Sequence, residues 1–164
     1  MTTPTTRFAT SDDIPQLVEV INRAYVVEAA LVHGLRVDRM DVRGRLNEPN
    51  TWFLVIDAGS DENPGKLAGC VCLHCDGQRG HIGLLSVDPD FQRRGLGGLL
   101  LRAAESLCAR NMGCAQIELE VVSLREELFG FYASMGYERA GIIPFPDESR
   151  LKQPAHMVVM RRAK

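Results

Sequence analysis

The sequence predicts a mixed α/β fold of α+β character: a central twisted, mostly antiparallel sheet of about seven strands, about four helices and one βαβ crossover. Three observations lead there. Segments with strand-like and helix-like apolar periods follow one another in the order β-α-α-β-β-β-α-β-α-β-β. The early strands are joined by short loops rich in Gly, Pro, Asp and Asn, the composition of hairpin turns. One strongly apolar helical segment lies between two mid-chain strands, the pattern of a parallel crossover. At 164 residues the chain has the usual size of one core, so residues 1–164 are expected to form a single domain.

Arg7 to Thr10 reads as a short first strand. Ser11-Asp12-Asp13 then supplies a capping hydroxyl and first-turn acids, and Pro15 stands where a helix still tolerates it. Ile14, Leu17, Val18, Ile21 and Tyr25 continue at helical spacing. Residues 26–37 have no clean period and are expected to form a loop or bent helix, before a second helix from about Asp38 to Leu46. Thr51–Ala58 and Lys66–Cys75 are strands around the loop 59–65, and Asp76–Gly80 turns the chain into the strand His81–Val87. After Asp88-Pro89-Asp90, a glycine-rich stretch opens a helix at about Gly95–Asn111, whose Leu96, Leu100, Ala103 and Leu107 share a face. Gln116–Val122 is a strand and Glu126–Met135 a helix stopped by Gly136. Tyr137–Ile143 and His156–Arg162 are the last strands, separated by a loop holding Pro144, Pro146 and Pro154.

Charge and composition exclude several functions. With 19 Lys+Arg against 21 Asp+Glu the chain lacks the basic excess of a non-specific nucleic-acid binder. No apolar run approaches a membrane span, and Met1–Arg7 lacks the apolar stretch of a secretory signal. A cytoplasmic protein with no nucleic-acid or membrane partner is expected. The five cysteines (Cys70, Cys72, Cys75, Cys108, Cys114) are odd in number and without scaffold spacing, so reduced thiols are expected. Cys70-Val71-Cys72-Leu73-His74-Cys75, with His81 beyond, invites a metal reading. Cys70 and Cys72 fall on one face of an apolar strand, however, where free cysteine packs as a small apolar residue, and no metal is expected.

The chemistry concentrates in Gln92-Arg93-Arg94-Gly95-Leu96-Gly97-Gly98, which follows a strand and opens a helix. Unpaired first-turn N–H groups, the helix dipole and glycines that admit close approach make a phosphate or pyrophosphate site, with Arg93 and Arg94 adding charge. Neither G-x-x-x-x-G-K-[ST] nor G-x-G-x-x-G is present. The stretch Leu84-Leu85-Ser86-Val87-Asp88-Pro89-Asp90-Phe91 and the turn after it, together with Phe131-Tyr132-Ala133-Ser134-Met135-Gly136-Tyr137 about forty residues on, resembles the GNAT acyl-CoA N-acyltransferase superfamily. Both landmarks and the helix and strand between them are in the family's order.

That resemblance implies a GNAT fold and direct transfer from acetyl-CoA, the acyl donor, to an amine. The pyrophosphate would bind the N–H groups of Arg93 to Gly98 beside Gln92. The pantetheine arm would pair with the edge of Leu85, Ser86 and Val87, and the Leu85 N–H would polarise the thioester carbonyl. Tyr132 matches the tyrosine that protonates the departing thiolate. For the base, His81 is the first candidate, since serotonin N-acetyltransferases carry a histidine at what looks like this position; strand alternation would put it on the face of Gly83 and Leu85. Glu118, Glu120 and water are the alternatives. Many relatives have an asparagine seven residues before the tyrosine; here Arg125 stands there, and Ser123 or Arg125 is expected to take over its CoA contact. Gly141 and Pro144-Phe145-Pro146 look like a subgroup acting on small molecules. The acceptor pocket would draw on Tyr25, Glu28, His33, Asp38, Asp41, Phe145, Asp147 and Glu148, and a small-molecule primary amine is the expected substrate of a monomer or homodimer. An inactive CoA-binding sensor, or acetylation of a protein or peptide amine, is the alternative.

Overall fold

Alternation along the strand Leu67–Cys75 divides the core in two: Val71, Leu73 and Cys75 turn to one side, Cys70 and Cys72 to the other. The structure, a computed structural model, describes all residues except Met1–Thr3, Ser60, Asp61, Asn63, Met112 and Lys164. Part of the predicted loop 59–65 and the first three residues of the N-terminal segment therefore lie outside the described residues. The strands are β1 (Arg7–Phe8), β2 (Thr51–Asp57), β3 (Leu67–Cys75), β4 (Arg79–Val87), β5 (Gln116–Val122), β6 (Glu138–Pro144) and β7 (His156–Ala163). They form one sheet in the order β1-β2-β3-β4-β5-β7-β6, antiparallel everywhere except at β4–β5.

Helices α1 (Ile14–Ala24) and α2 (Arg39–Asn47) cover one face, and α3 (Leu96–Asn111) with α4 (Glu126–Ser134) the other. The first two start from a local device. Thr10 and Asp13 form a reciprocal capping box before α1, and Arg7 forks onto Asp13 with two contacts of 2.9 Å. Asp38 and Asp41 cap α2 in the same way. Helix α3 forms the crossover between the two parallel strands. Its buried stripe is Leu96, Leu100, Leu101, Ala104 and Cys108; Ala103 and Leu107, expected at its centre, are its half-buried flank. None of the described helices is long and apolar enough to cross a membrane.

Two features depart from expectation. Residues 26–37 are more structured than their pattern predicted: a 3-10 turn at Tyr25–Glu28 leads to Val32, which bridges Leu151 of the β6–β7 loop. The expectation of reduced thiols is corrected at one pair, because the ends of β3 and β5 bring Cys75 and Cys114 together as a disulfide. Cys70, Cys72 and Cys108 are free and buried. Burial pushes the Cys72 and Cys108 thiols up to about 11, which suits packing rather than reactivity.

Candidate active site

Strands β4 and β5 pair only from Arg79–Ile82 to Gln116–Leu119. Beyond that point each follows its outer neighbour: Ser86 and Val87 stay with β3, while Glu120 to Val122 stay with β7. The two strands therefore part and leave a wedge with unpaired backbone edges. The cause is a bulge in β4. Cys70 pairs with Ser86 and Cys72 with Gly83, so Leu84 and Leu85 together oppose Val71. Leu84 takes φ +53°, an uncommon conformation for a residue with a Cβ. Its carbonyl accepts from the Ser86 hydroxyl at 2.9 Å. Ile82 packs in the α3 cluster, Leu84 in the α1 cluster, and Leu85 and Val87 return to the α3 side.

The bulge corrects one expectation: His81 and Gly83 share the α1 face, whereas Leu85 lies on the α3 face. His81 Nε2 is also 3.0 Å from Asp76 Oδ2, which draws the ring toward the turn at the closed end of the wedge. Asp76 is fixed there by the Arg79 and Gln78 N–H groups, which with His81 hold its carboxyl far below the usual range. Glu118 is engaged by Arg79 at 3.0 Å and Arg161 at 2.9 Å. Glu120 shares the α1 face, because Ile117, Leu119 and Val121 occupy the α3 side. It is exposed, beside the open half of the wedge, and has no ion pair or side-chain hydrogen bond among the described residues.

At the open end, Asp88 anchors the strand-to-helix turn. It is almost fully buried; its N–H donates to Ala68 O at 2.8 Å and its carboxylate accepts from Arg23 at 2.9 Å. Burial works to raise its pKa, but the Arg23 and Asp90 hydrogen bonds prevail and hold it low. Positive φ at Arg93 and Gly95, +66° and +78°, curls the chain into the N-terminus of α3. Gln92 Nε2 ties back to Val87 O at 3.1 Å, while Arg93 and Arg94 remain exposed, the latter over the Phe91 ring. Unpaired helix-start N–H groups, glycine access and two exposed guanidinium groups thus meet at the mouth of the wedge. Helix α4 borders that mouth: a Cβ at Gly97 would lie 3.8 Å from Phe131, and one at Gly98 would lie 3.7 Å from Met135.

Tyr132 of α4 is 8% exposed and packs edge-on to Tyr137 at 5.9 Å. No described residue hydrogen-bonds its hydroxyl. Burial raises the phenol above its ordinary pKa, the Tyr25 phenol adds to this, and the Arg125 cation opposes it. Arg125 donates to Glu28 at 2.7 Å and to Glu127 at 2.6 Å. Ser123 Oγ accepts from His156 N–H at 3.1 Å.

Several residues expected in the acceptor pocket have other work. Asp38 and Asp41 cap α2, and Asp147 caps the short turn Glu148–Arg150. Glu28 does reach the open end of the wedge, where Arg125 donates to it. Among the described residues no group of three or more His, Cys, Asp or Glu is placed to hold a metal. The Glu28–Arg125 pair was not legible, since no local signal links residues 97 apart.

An anion-binding turn opening into a wedge of free backbone edges suits a long phosphorylated ligand whose far end reaches a buried phenol. The sequence agrees: residues 16–137 match the acetyltransferase (GNAT) family, and the chain belongs to that family of acetyl-transferring enzymes. Solved structures share the fold. The ribosomal-protein-S18-alanine N-acetyltransferase from Escherichia coli has a TM-score of 0.74 at 20% identity, covering 98% of this chain and 94% of that one. Ard1 from Thermoplasma volcanium has 0.77 at 21%, covering 99% and 98%. A GNAT family acetyltransferase from Elizabethkingia anophelis with acetyl-CoA bound has 0.71 at 14%, covering 100% of both chains.

Proposed function

We propose that this single-domain enzyme is an acetyl-CoA-dependent N-acetyltransferase acting directly on a primary amine of a small molecule. The observation that carries the reading is the β4–β5 wedge, with the Gln92–Gly98 turn at its mouth and, on the helix that borders that mouth, the buried Tyr132, whose hydroxyl has no partner among the described residues. The turn fits a pyrophosphate, and the freed edge of Leu85 to Val87 fits an amide-bearing arm.

In this reading the amine nitrogen attacks the thioester carbonyl carbon, and the Leu85 N–H stabilises the oxyanion. The carbon–sulfur bond then breaks, and Tyr132 gives its proton to the leaving thiolate. Of the candidate bases, the geometry favours Glu120 over His81. Glu120 is uncommitted and lies beside the open wedge on the α1 face, whereas Asp76 pulls His81 away and two arginines occupy Glu118. A small acceptor is supported by the strap over that face: His33 N–H donates to Arg150 O at 2.7 Å and Lys152 N–H to Leu31 O at 2.8 Å. The likeness to the E. coli ribosomal-protein-alanine enzyme supports a second reading, a peptide N-terminus.

Thiol release from acetyl-CoA across small amines and an alanine-ended peptide tests both. Release with small amines alone supports the first reading, and release with the peptide alone the second. Stabilisation by CoA with no release would instead identify an inactive binding module.

A further inference from the structure

Arg125 stands where many relatives have an asparagine, and its guanidinium is held between two carboxylates. The Glu28 contact joins the loop after β5 to the 3-10 turn after α1, across the open end of the wedge. Both side chains are only 15% exposed, so this pair is shielded far better than a surface ion pair. Three residues before Glu28, at the start of the same turn, stands Tyr25, packed against the α1-side core. Immediately after Glu28 comes the segment strapped to the β6–β7 loop. There Val32 bridges Leu151, Arg150 donates to the carbonyls of His33 and Leu35, and Lys152 Nζ donates to Ala29 O. The strap holds one end of the segment and the ion pair holds the other.

We propose that Arg125 is a positioning residue rather than a cofactor ligand: through Glu28 it clamps residues 25–35 over the wedge, on the acceptor side. The Tyr25 ring is further fixed by Arg36, whose guanidinium lies 5.3 Å from its centroid. This inference rests on the acetyltransferase reading for its kinetic consequence, though not for its structural one.

The test uses the full chain with Glu28→Gln, Arg125→Gln, Arg125→Lys and the exchanged pair Glu28→Arg with Arg125→Glu. Amide hydrogen exchange is followed at His33 and Lys152, whose N–H groups belong to the strap. Loss of either partner of a shielded pair should loosen the segment, giving about tenfold faster exchange at both amides in Glu28→Gln and Arg125→Gln. Arg125→Lys and the exchanged pair should recover part of the protection. In thiol-release kinetics the same two variants should raise the acceptor KM about tenfold and leave the acetyl-CoA KM unchanged. Unchanged exchange in Glu28→Gln would overturn the clamp, as would a KM increase falling on acetyl-CoA. Absence of thiol release from the wild type with every acceptor would defeat the acetyltransferase reading instead, and the exchange measurement would still decide the clamp.

Discussion

Replacing Tyr132 by Phe separates chemistry from packing more cleanly than any other change at this site. The ring stays, with its edge-on contact to Tyr137 at 5.9 Å and its neighbour Phe131 at 5.1 Å. Only the hydroxyl is lost, and no described residue hydrogen-bonds it. The stability cost should therefore stay below about 1 kcal/mol, a melting shift of roughly 2–4 °C for a chain of this size. The catalytic cost is different. A positioned general acid contributes about 10²–10⁴-fold, so kcat should fall by about 10³, or roughly 4 kcal/mol of barrier. Because burial lifts the phenol above its ordinary pKa, it remains a proton donor throughout the neutral range. The wild type should then show no alkaline loss from this group below about pH 10. The assay is thiol release at saturating acetyl-CoA, with a thermal melt on the same preparation. A kcat within tenfold of wild type (about 1.4 kcal/mol) would refute the acid role. So would a loss confined to the acetyl-CoA KM, or one accompanied by a large drop in melting temperature.

Glu120→Gln should lower kcat by about 10²-fold or more, whereas His81→Gln should stay within a few-fold of wild type; the reverse order in the same assay would return the base to His81. Glu105 is buried in α3 and accepts from Tyr137 at 2.8 Å, Arg102 at 2.7 Å and Arg162 at 2.6 Å. Its change to Ala leaves the buried Tyr137 hydroxyl unpaired and should cost about 3 kcal/mol, or roughly 6–12 °C by calorimetry. Asp13, held low mainly by its hydrogen bonds from Arg7, and Asp88, held low against its burial by Arg23, both titrate below an unfolded aspartate. The folded state thus binds fewer protons, and their stabilisation is full above about pH 4 and lost as pH falls further. A melting-temperature series from neutral to acid pH should show this loss, and Asp13→Asn should flatten part of it.

Elements with a local cause were legible in the sequence. The acidic first turn before α1, the glycine-rich start of α3 and the alternation of β3 each follow from neighbours in the chain, and their expected boundaries agree with the structure within about two residues, the usual latitude of assignment; the cap itself is Thr10, one residue before the expected Ser11. The places of Gln92–Gly98, at the start of α3, and of Tyr132, on α4, were legible for the same reason, since each motif is contiguous. Pairings at long range were not. Nothing near Arg125 announces Glu28, nothing near Cys75 announces Cys114, and the aperiodic residues 26–37 are ordered by Leu151 and Arg150 from the far end of the chain. Acids weighed as substrate contacts, Asp38, Asp41 and Asp147, proved to be caps, because aspartate serves both purposes with the same side chain.

The least legible feature is the one that organises the site. A bulge adds one residue to one strand, and Leu84 looks like any other apolar member of β4. Yet one added residue reverses the facing of everything beyond it. Without the bulge, His81, Gly83 and Leu85 would share a face, and base and oxyanion donor would line one side of the sheet. With it, Leu85 and Val87 join the α3 face, the side of Tyr132, while Leu84 turns into the α1 core, against which Tyr25 also packs. The same irregularity coincides with the point where β4 and β5 part, so the backbone edge is freed where the facing changes. Donor and acceptor can then approach from opposite sides of one sheet and meet at the bulge. For the proposed mechanism, that geometry favours a base on the α1 face of β5 over one farther back on β4. Glu120 lies on the strand that diverges, beside the opening itself, whereas His81 lies in the stretch that remains paired.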